Sequence, residues 1–132
     1  MTGNGSSLFL RRALVLDCVI SGISAAALLI GSDTFAALLG TSALFIRYAG
    51  ASLVPFAAFV LYLSQRDPVS RAAVWTVIAL NAAWVAGSIL LLFTTLVAPT
   101  TIGTAFVILQ AIAVAAFAEM QYVGLRKAWA AA

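Results

Sequence analysis

The sequence predicts an all-α integral membrane protein: four transmembrane helices in a bundle, with a short outer interfacial helix between the first two spans. Of the 132 residues, 64% are hydrophobic and 8% are charged, whereas a soluble domain is about 25% charged. The mean hydropathy is +1.14. A bilayer is crossed by about 20 apolar helical residues, and the chain has room for about four such runs. A single membrane domain over residues 1–132 is therefore expected.

The spans are predicted at about residues 13–30, 43–64, 69–97 and 102–125. Before the first span, MTGNGSSLFLRR is typical of a flexible tail that ends at a membrane edge marked by Arg11 and Arg12. A basic segment before an apolar run also resembles a secretory signal peptide, but the length of the run and its early Asp17 favour a retained helix.

The connections also carry structural signals. GSDTFAALLGTS, after the first span, is predicted to form the outer interfacial helix, with Ser32 or Asp33 as its cap. Asp67 followed by Pro68 is typical of a helix start. The short APTT segment indicates a hairpin of the last two spans, with Thr100 or Thr101 as the helix cap.

Two patterns within the spans bear on packing. Pro55 in the second span removes an amide donor, so a bend is expected there. Ala79, Ala83 and Gly87 in the third span have the small-residue spacing that lets two membrane helices approach closely.

Charge predicts the orientation of the bundle. With four spans and an inner amino terminus, the only cation on the outer side is Arg47. The inner side then carries Arg11, Arg12, Arg66, Arg71, Arg126 and Lys127. An interfacial aromatic belt is expected at the same boundary, formed by Tyr62, Trp75, Tyr122 and Trp129. The bias predicts a multi-pass inner (plasma) membrane protein with both termini in the cytoplasm.

Asp17, Glu119 and Arg47 form the candidate protonatable or substrate site. At 1.5 Å per helical residue, Asp17 and Glu119 lie roughly 7 and 10 Å inside the inner boundary, so the two carboxylates share one layer. Neighbouring first and fourth spans would allow a shared proton. The alternative is that each carboxylate reaches the inner interface or pairs with a nearby arginine.

Asn81 and Gln110 form a candidate polar layer near the bilayer centre. A direct hydrogen bond between them would join the third and fourth spans. Gln110 and Glu119 are nine residues apart, so at about 100° per residue they point to opposite sides of the last helix. That helix is expected to have partners on two faces.

Several functions are disfavoured by residue content. The chain has no histidine, one cysteine and four acidic residues, so a triad, a haem or zinc site and a two-metal carboxylate site lack their ligands. We expect no enzyme activity, no metal, no cofactor and no nucleic-acid partner.

Two functions from different classes remain open, and affinity for lipid or quinone-like molecules is a third possibility that no residue singles out. The first is a non-catalytic bundle acting as a homo-oligomer or as an accessory subunit of a larger membrane complex. The second is a small proton-coupled carrier or channel that uses Asp17 and Glu119, with Arg47 attracting anions from outside.

Overall fold

A computed structural model describes residues 4–66 and 68–131 of the chain, and every element within those residues is a helix. The helices are α1 (Asn4–Ile30), α2 (Ser32–Leu39), α3 (Ala43–Ser64), α4 (Arg71–Leu91) and α5 (Thr101–Ala131). All but α2 are long and apolar enough to cross a membrane. The predictions of an all-helical chain with four long apolar helices are confirmed, and these helices suggest a multi-pass membrane protein.

α1 and α4 begin at residues other than those predicted for the first and third spans. α1 begins at Asn4, so most of the segment predicted to be a flexible tail is helical. α4 begins at Arg71 because the Ser70 hydroxyl accepts a hydrogen bond from the Ala73 amide and caps the first turn. The cap predicted at Asp67 lies outside the described residues.

The connection between α4 and α5 is longer than the APTT turn that the sequence suggested. α4 ends at Leu91 rather than at residue 97, and the following segment is bonded to α2. The Ala98 amide donates to the last carbonyl of α2, and the Thr100 amide and hydroxyl both donate to the Leu38 carbonyl. The Thr100 hydroxyl also accepts a hydrogen bond from the Gly103 amide, which confirms Thr100 as the cap of α5. α4 itself ends because the Leu92, Phe93 and Thr94 amides bond three residues back rather than four, and the Thr94 hydroxyl donates to the Leu91 carbonyl.

Glycine occupies the cap position at both ends of α2, so neither end is capped by a side chain. Its N-cap is Gly31, without a side-chain hydrogen bond, so the prediction of Ser32 or Asp33 as the cap was wrong. Ser32 is instead buried in the first helical turn. Gly40 follows the helix at φ +61°, a left-handed conformation, and a Cβ there would collide with the backbone of Ala98.

The four long helices lie side by side in the order α3, α1, α5, α4. Glycines set the closest approaches to α1. A Cβ added to Gly50 of α3 would lie 2.9 Å from Leu28 Cβ, and one added to Gly124 of α5 would lie 2.9 Å from Leu10 Cα. A larger residue at either position would push α1 away from its neighbour. Contact between α3 and α4 is slight by comparison.

Two apolar clusters close the bundle at its ends. One lies where α3 connects to α4 and contains Leu10, Leu14, Val60, Leu63, Val69, Val74, Val77 and Leu125. The other lies beside α2 and contains Leu28, Ala36, Leu39, Ile46 and Val107. We call these the basic end and the α2 end. The basic end is named for its cations, Arg11, Arg12, Arg66, Arg71, Arg126 and Lys127.

Aromatic rings at the basic end contact its cations. The cation–ring pairs are Arg66 with Tyr62, Arg71 with Trp129, Arg126 with Tyr122, and Lys127 with Phe9, at 4.8–5.8 Å from the ring centres. Trp75 also meets Tyr122 edge-on, with ring centres 5.7 Å apart. The four aromatic residues predicted to share one boundary therefore lie at one end of the bundle, as an interfacial belt would.

The small residues of α4 do not form the close helix contact predicted for them. Ala79 and Ala83 are exposed, and a Cβ added to Gly87 would meet no atom within 4 Å. The close approaches instead use Gly50 and Gly124, whose surroundings are fixed only by the tertiary packing. These small residues of α4 therefore lie beside open space rather than against a second helix.

Candidate functional site: a buried polar cluster beside an apolar cavity

Asp17 lies at the centre of a buried hydrogen-bonded cluster. Only 1% of its surface is exposed. Its Oδ2 accepts hydrogen bonds from Asn81 Nδ2 at 2.8 Å and Gln121 Nε2 at 2.6 Å, and its Oδ1 accepts one from the Ser21 hydroxyl at 3.1 Å. Three donors therefore satisfy the carboxylate inside an apolar bundle, and they compensate for its removal from water.

The two amides of this cluster also bond to each other. Asn81 Nδ2 donates to Gln121 Oε1 at 3.1 Å. Because Asp17, Asn81 and Gln121 lie on α1, α4 and α5, the cluster ties together three of the four long helices. Such bonds between membrane helices are worth about 0.6–2 kcal/mol each.

Glu119 does not join Asp17. Gln121, two residues further along α5, contacts the Asp17 carboxylate, and a two-residue step turns a helix by about 200°. Glu119 therefore points away from the cluster and is exposed on the bundle surface. α1 and α5 are neighbours, as the hypothesis required, but the two carboxylates lie on different faces, so the shared layer expected from depth alone is not formed.

Arg47 lies near the α2 end, apart from both carboxylates of the candidate site. Its Nη2 is 3.9 Å from Asp33 Oδ1, with 51% of the Arg47 side chain and 89% of the Asp33 side chain exposed. An exposed pair of this kind contributes about 0–1 kcal/mol. The structure therefore supplies the carboxylate that an arginine within a span needs, but it brings Arg47 to neither Asp17 nor Glu119.

Asn81 and Gln110 do not form the direct hydrogen bond that was predicted between them, and each bonds to other groups. Gln110 Oε1 accepts a hydrogen bond from the Trp84 indole at 2.9 Å, and Gln110 Nε2 donates to the Val107 carbonyl at 2.9 Å. Asn81 is bonded to Asp17, which the depth estimate had assigned to another layer. Both amides still join helices through their side chains. Gln110 on α5 bonds to Trp84 on α4, and Asn81 on α4 bonds to Asp17 on α1.

A cavity of about 900 Å³ lies between the polar cluster and the α2 end. Residues from all five helices line it, among them Ser21 and Asn81 on the cluster side and Phe35 and Leu39 on the α2 side. Its lining is mainly apolar, and none of the described residues that line it is charged. Gln110 and Trp84 belong to its wall, so the second hydrogen-bonded pair also faces this space.

The cavity opens between α3 and α4. Ser52 and Pro55 of α3 and Ala83 and Gly87 of α4 line the cavity and are exposed. At the α2 end the space is bounded by Phe35, whose ring centre lies 5.1 Å from that of Phe106. The two helices that scarcely contact each other therefore form the sides of a lateral opening.

Sequence reasoning missed Ser21, Gln121 and the cavity. Gln121 follows Gln110 by eleven residues, which at about 100° per residue brings both to nearly the same face of the helix. Ser21 follows Asp17 by four residues and so lies directly above it on α1. Those spacings carried the signal for the cluster. The cavity had no such signal, because it depends on how far apart α3 and α4 lie.

Comparison with protein-family models, with curated proteins and with solved structures gives no match.

Proposed function

We propose that the chain is a non-catalytic membrane helix bundle that holds a neutral, lipid-soluble molecule in the cavity between α3 and α4. The observation that carries the proposal is the cavity itself: about 900 Å³, with a mainly apolar lining and a small number of polar groups in its wall. Small-molecule sites in proteins have this combination, with volumes of roughly 300–1,000 Å³.

The cavity is open at its side rather than enclosed, because exposed residues of α3 and α4 border it. Since the opening is lateral, the molecule that fills it would enter from the hydrocarbon of the bilayer rather than from water.

The absence of charge from the described lining residues favours a neutral occupant. A phospholipid headgroup or a carboxylate would lose its hydration there without gaining a counter-ion. The buried Asp17 carboxylate behind Asn81 would further repel an anion.

The proposed setting is the inner (plasma) membrane, with the basic end in the cytoplasm. Six of the seven cations lie at that end, and cytoplasmic boundaries are enriched in Lys and Arg. We also propose that the bundle assembles as a homo-oligomer or as an accessory subunit, because α5 presents the exposed carboxylate of Glu119 on its outer surface. The proton-coupled carrier alternative depended on a layer shared by Asp17 and Glu119, and their separation gives it no support.

A photolabelling experiment tests the proposal. The purified protein in nanodiscs is exposed to a hexadecane analogue that carries a diazirine, and the labelled residues are mapped by mass spectrometry. We expect labelling at the residues that line the cavity. Gly87→Phe should abolish it, because a Cβ at Gly87 meets no atom within 4 Å and the ring can enter the cavity.

Gly22→Phe is the matched control. A Cβ at Gly22 also meets no atom within 4 Å, but Gly22 does not line the cavity. This variant should leave the cavity labelling unchanged. If Gly87→Phe and Gly22→Phe label alike at the cavity residues, the proposed function is wrong.

A further inference from the structure

We infer that the occupant of the cavity is an unsaturated chain of the polyisoprenoid class, in which flat C=C groups recur along the molecule, rather than a saturated acyl chain. This inference rests on the proposed function and adds the chemical class of the ligand. The aromatic rings of the cavity wall carry it, through their number and through their distribution along the cavity.

Phenylalanine is concentrated in the cavity wall. Of the eight phenylalanines in the chain, six line the cavity, namely Phe35, Phe45, Phe56, Phe59, Phe106 and Phe117. The indole of Trp84 belongs to the same wall. The other aromatic residues lie at the two ends of the bundle, and most of them belong to the interfacial belt at the basic end. The aromatic rings between the ends therefore face the cavity.

The outer surface of the bundle between its ends is aliphatic instead. The large apolar residues exposed there outside the cavity are leucine, isoleucine and valine, such as Val19 on α1 and Leu109 and Ile112 on α5. These side chains are the ones expected to meet the acyl chains of the bilayer. A cavity that only received the same acyl chains would need no different wall. Its rings indicate an occupant that interacts with aromatic faces.

The rings follow the whole length of the cavity. Phe45 and Phe59 are fourteen residues apart on α3, which is about 21 Å of helix, and Phe106 and Phe117 are eleven residues apart on α5, about 17 Å. Phe35 lies at the α2 end, with its ring centre 5.1 Å from that of Phe106. A ligand with one flat group would meet only some of these rings. A chain with repeated C=C groups would meet them along its length.

Two physical effects favour the unsaturated chain in such a wall. The face of an aromatic ring is negative and its edge is positive, so π systems attract each other edge-to-face or offset, by about twofold to tenfold in affinity beyond the burial of apolar area. Each C=C group also removes a rotatable bond, so the chain loses less conformational freedom when it binds. A saturated chain of the same skeleton gains only the burial.

The test is competition against the hexadecane photolabel by squalane and squalene. The two hydrocarbons share one branched carbon skeleton and differ only in their C=C groups. Each is added to the purified protein in nanodiscs, at mole fractions measured in the disc. We expect squalene to reach half-maximal competition at a mole fraction about threefold to tenfold lower than squalane. Equal competition, or stronger competition by squalane, would overturn the inference.

A variant with both Phe45→Leu and Phe106→Leu assigns the preference to the rings. Both rings line the cavity and are more than one-third exposed, and leucine keeps the wall apolar. The variant should lower the preference for squalene at least twofold and leave the competition by squalane unchanged. Phe93→Leu is the matched control, because Phe93 is 83% exposed and does not line the cavity. It should keep the full preference.

An equal preference for squalene in the double variant and in Phe93→Leu would show that the rings do not recognise the ligand, and would overturn the inference. The comparison of squalane with squalene in the unmodified chain needs no variant, so it tests the inference even if the double variant does not fold.

The two proposals fail in different ways. Equal competition by squalane and squalene, with labelling that still disappears in Gly87→Phe, would overturn the inference about the chain and leave the proposed function standing. Labelling that persists in Gly87→Phe would overturn the proposed function itself.

Discussion

At the scale of single residues, Asp17 is tolerated in an apolar bundle because donors from three helices surround it. Ser21, Asn81 and Gln121 supply these donors, and none of them carries a charge. Residue content alone suggested that Asp17 would need a proton, a cation or water. Sequence identified Asp17 and Asn81 as residues that require partners, but the depth estimate paired each with the wrong group, since depth along a helix says nothing about which face a side chain occupies.

The cluster predicts a large effect of removing the carboxylate. Asp17→Ala removes the acceptor of one Asn81 N–H and of the bonded Gln121 N–H, and each unsatisfied buried group costs about 1–3 kcal/mol. We expect a loss of roughly 2–5 kcal/mol in the free energy of unfolding, measured by denaturant titration in micelles. Asp17→Asn should lose much less, because its amide can still accept from Asn81 and donate to the Ser21 hydroxyl.

Glu119→Ala is the matched control at the same residue scale. Glu119 is exposed and has no partner among the described residues, so its removal should change stability by less than about 0.5 kcal/mol. Equal losses for Asp17→Ala and Glu119→Ala would show that the cluster does not stabilise the bundle.

At the scale of helices, α1 is the element that the others pack around. It contacts α3 through Gly50 and α5 through Gly124, and its Asp17 binds α4 and α5. The bounds of α3 were predicted from its apolar run because that helix stops where polar residues begin. The early end of α4 was not predictable in this way, since the apolar run continues through Leu92 and Phe93 while their amides already bond three residues back.

The close approaches predict a rank order for alanine substitutions. Gly124→Ala would bring a Cβ to 2.9 Å from the Leu10 backbone, and Gly50→Ala would do the same against Leu28 Cβ. Overpacking of this kind costs about 1–3 kcal/mol, which outweighs the gain of up to about 1 kcal/mol from replacing a helical glycine. Thermal unfolding should show both variants to be less stable than the parent.

Gly22→Ala gives the comparison without the contact. A Cβ at Gly22 meets no atom within 4 Å, so this substitution should be neutral or stabilising by up to about 1 kcal/mol. If Gly124→Ala and Gly50→Ala melt like Gly22→Ala, α1 does not make these close approaches.

At the scale of the whole molecule, two apolar clusters hold the ends of the bundle together while α3 and α4 remain apart between them. Composition and periodicity predicted four long helices because lipid exposure requires an apolar surface on every span. They could not predict the cavity, because a residue such as Gly87 looks the same in sequence whether it faces a helix or an open space. Orientation in the membrane is the other property of the whole molecule, and it rests on the cations of the basic end.

The orientation predicts opposite labelling of the two ends. In a Cys18→Ala background, Asp33→Cys should react with an impermeant maleimide added outside intact cells. Gln65→Cys should react only after the cells are opened, because it lies at the basic end. Reaction of both positions from the same side would refute the proposed topology.

The cavity is proposed to be an occupied binding site, and the mass of the intact native protein tests this proposal without any added ligand. The protein is extracted from its own membrane in mild detergent, and the mass of the intact chain is recorded before and after gentle activation. We expect one neutral small molecule per chain, retained in Gly22→Phe and lost in Gly87→Phe. The bare mass of the chain in the parent protein, or an equal amount of the same molecule in Gly87→Phe, would contradict it.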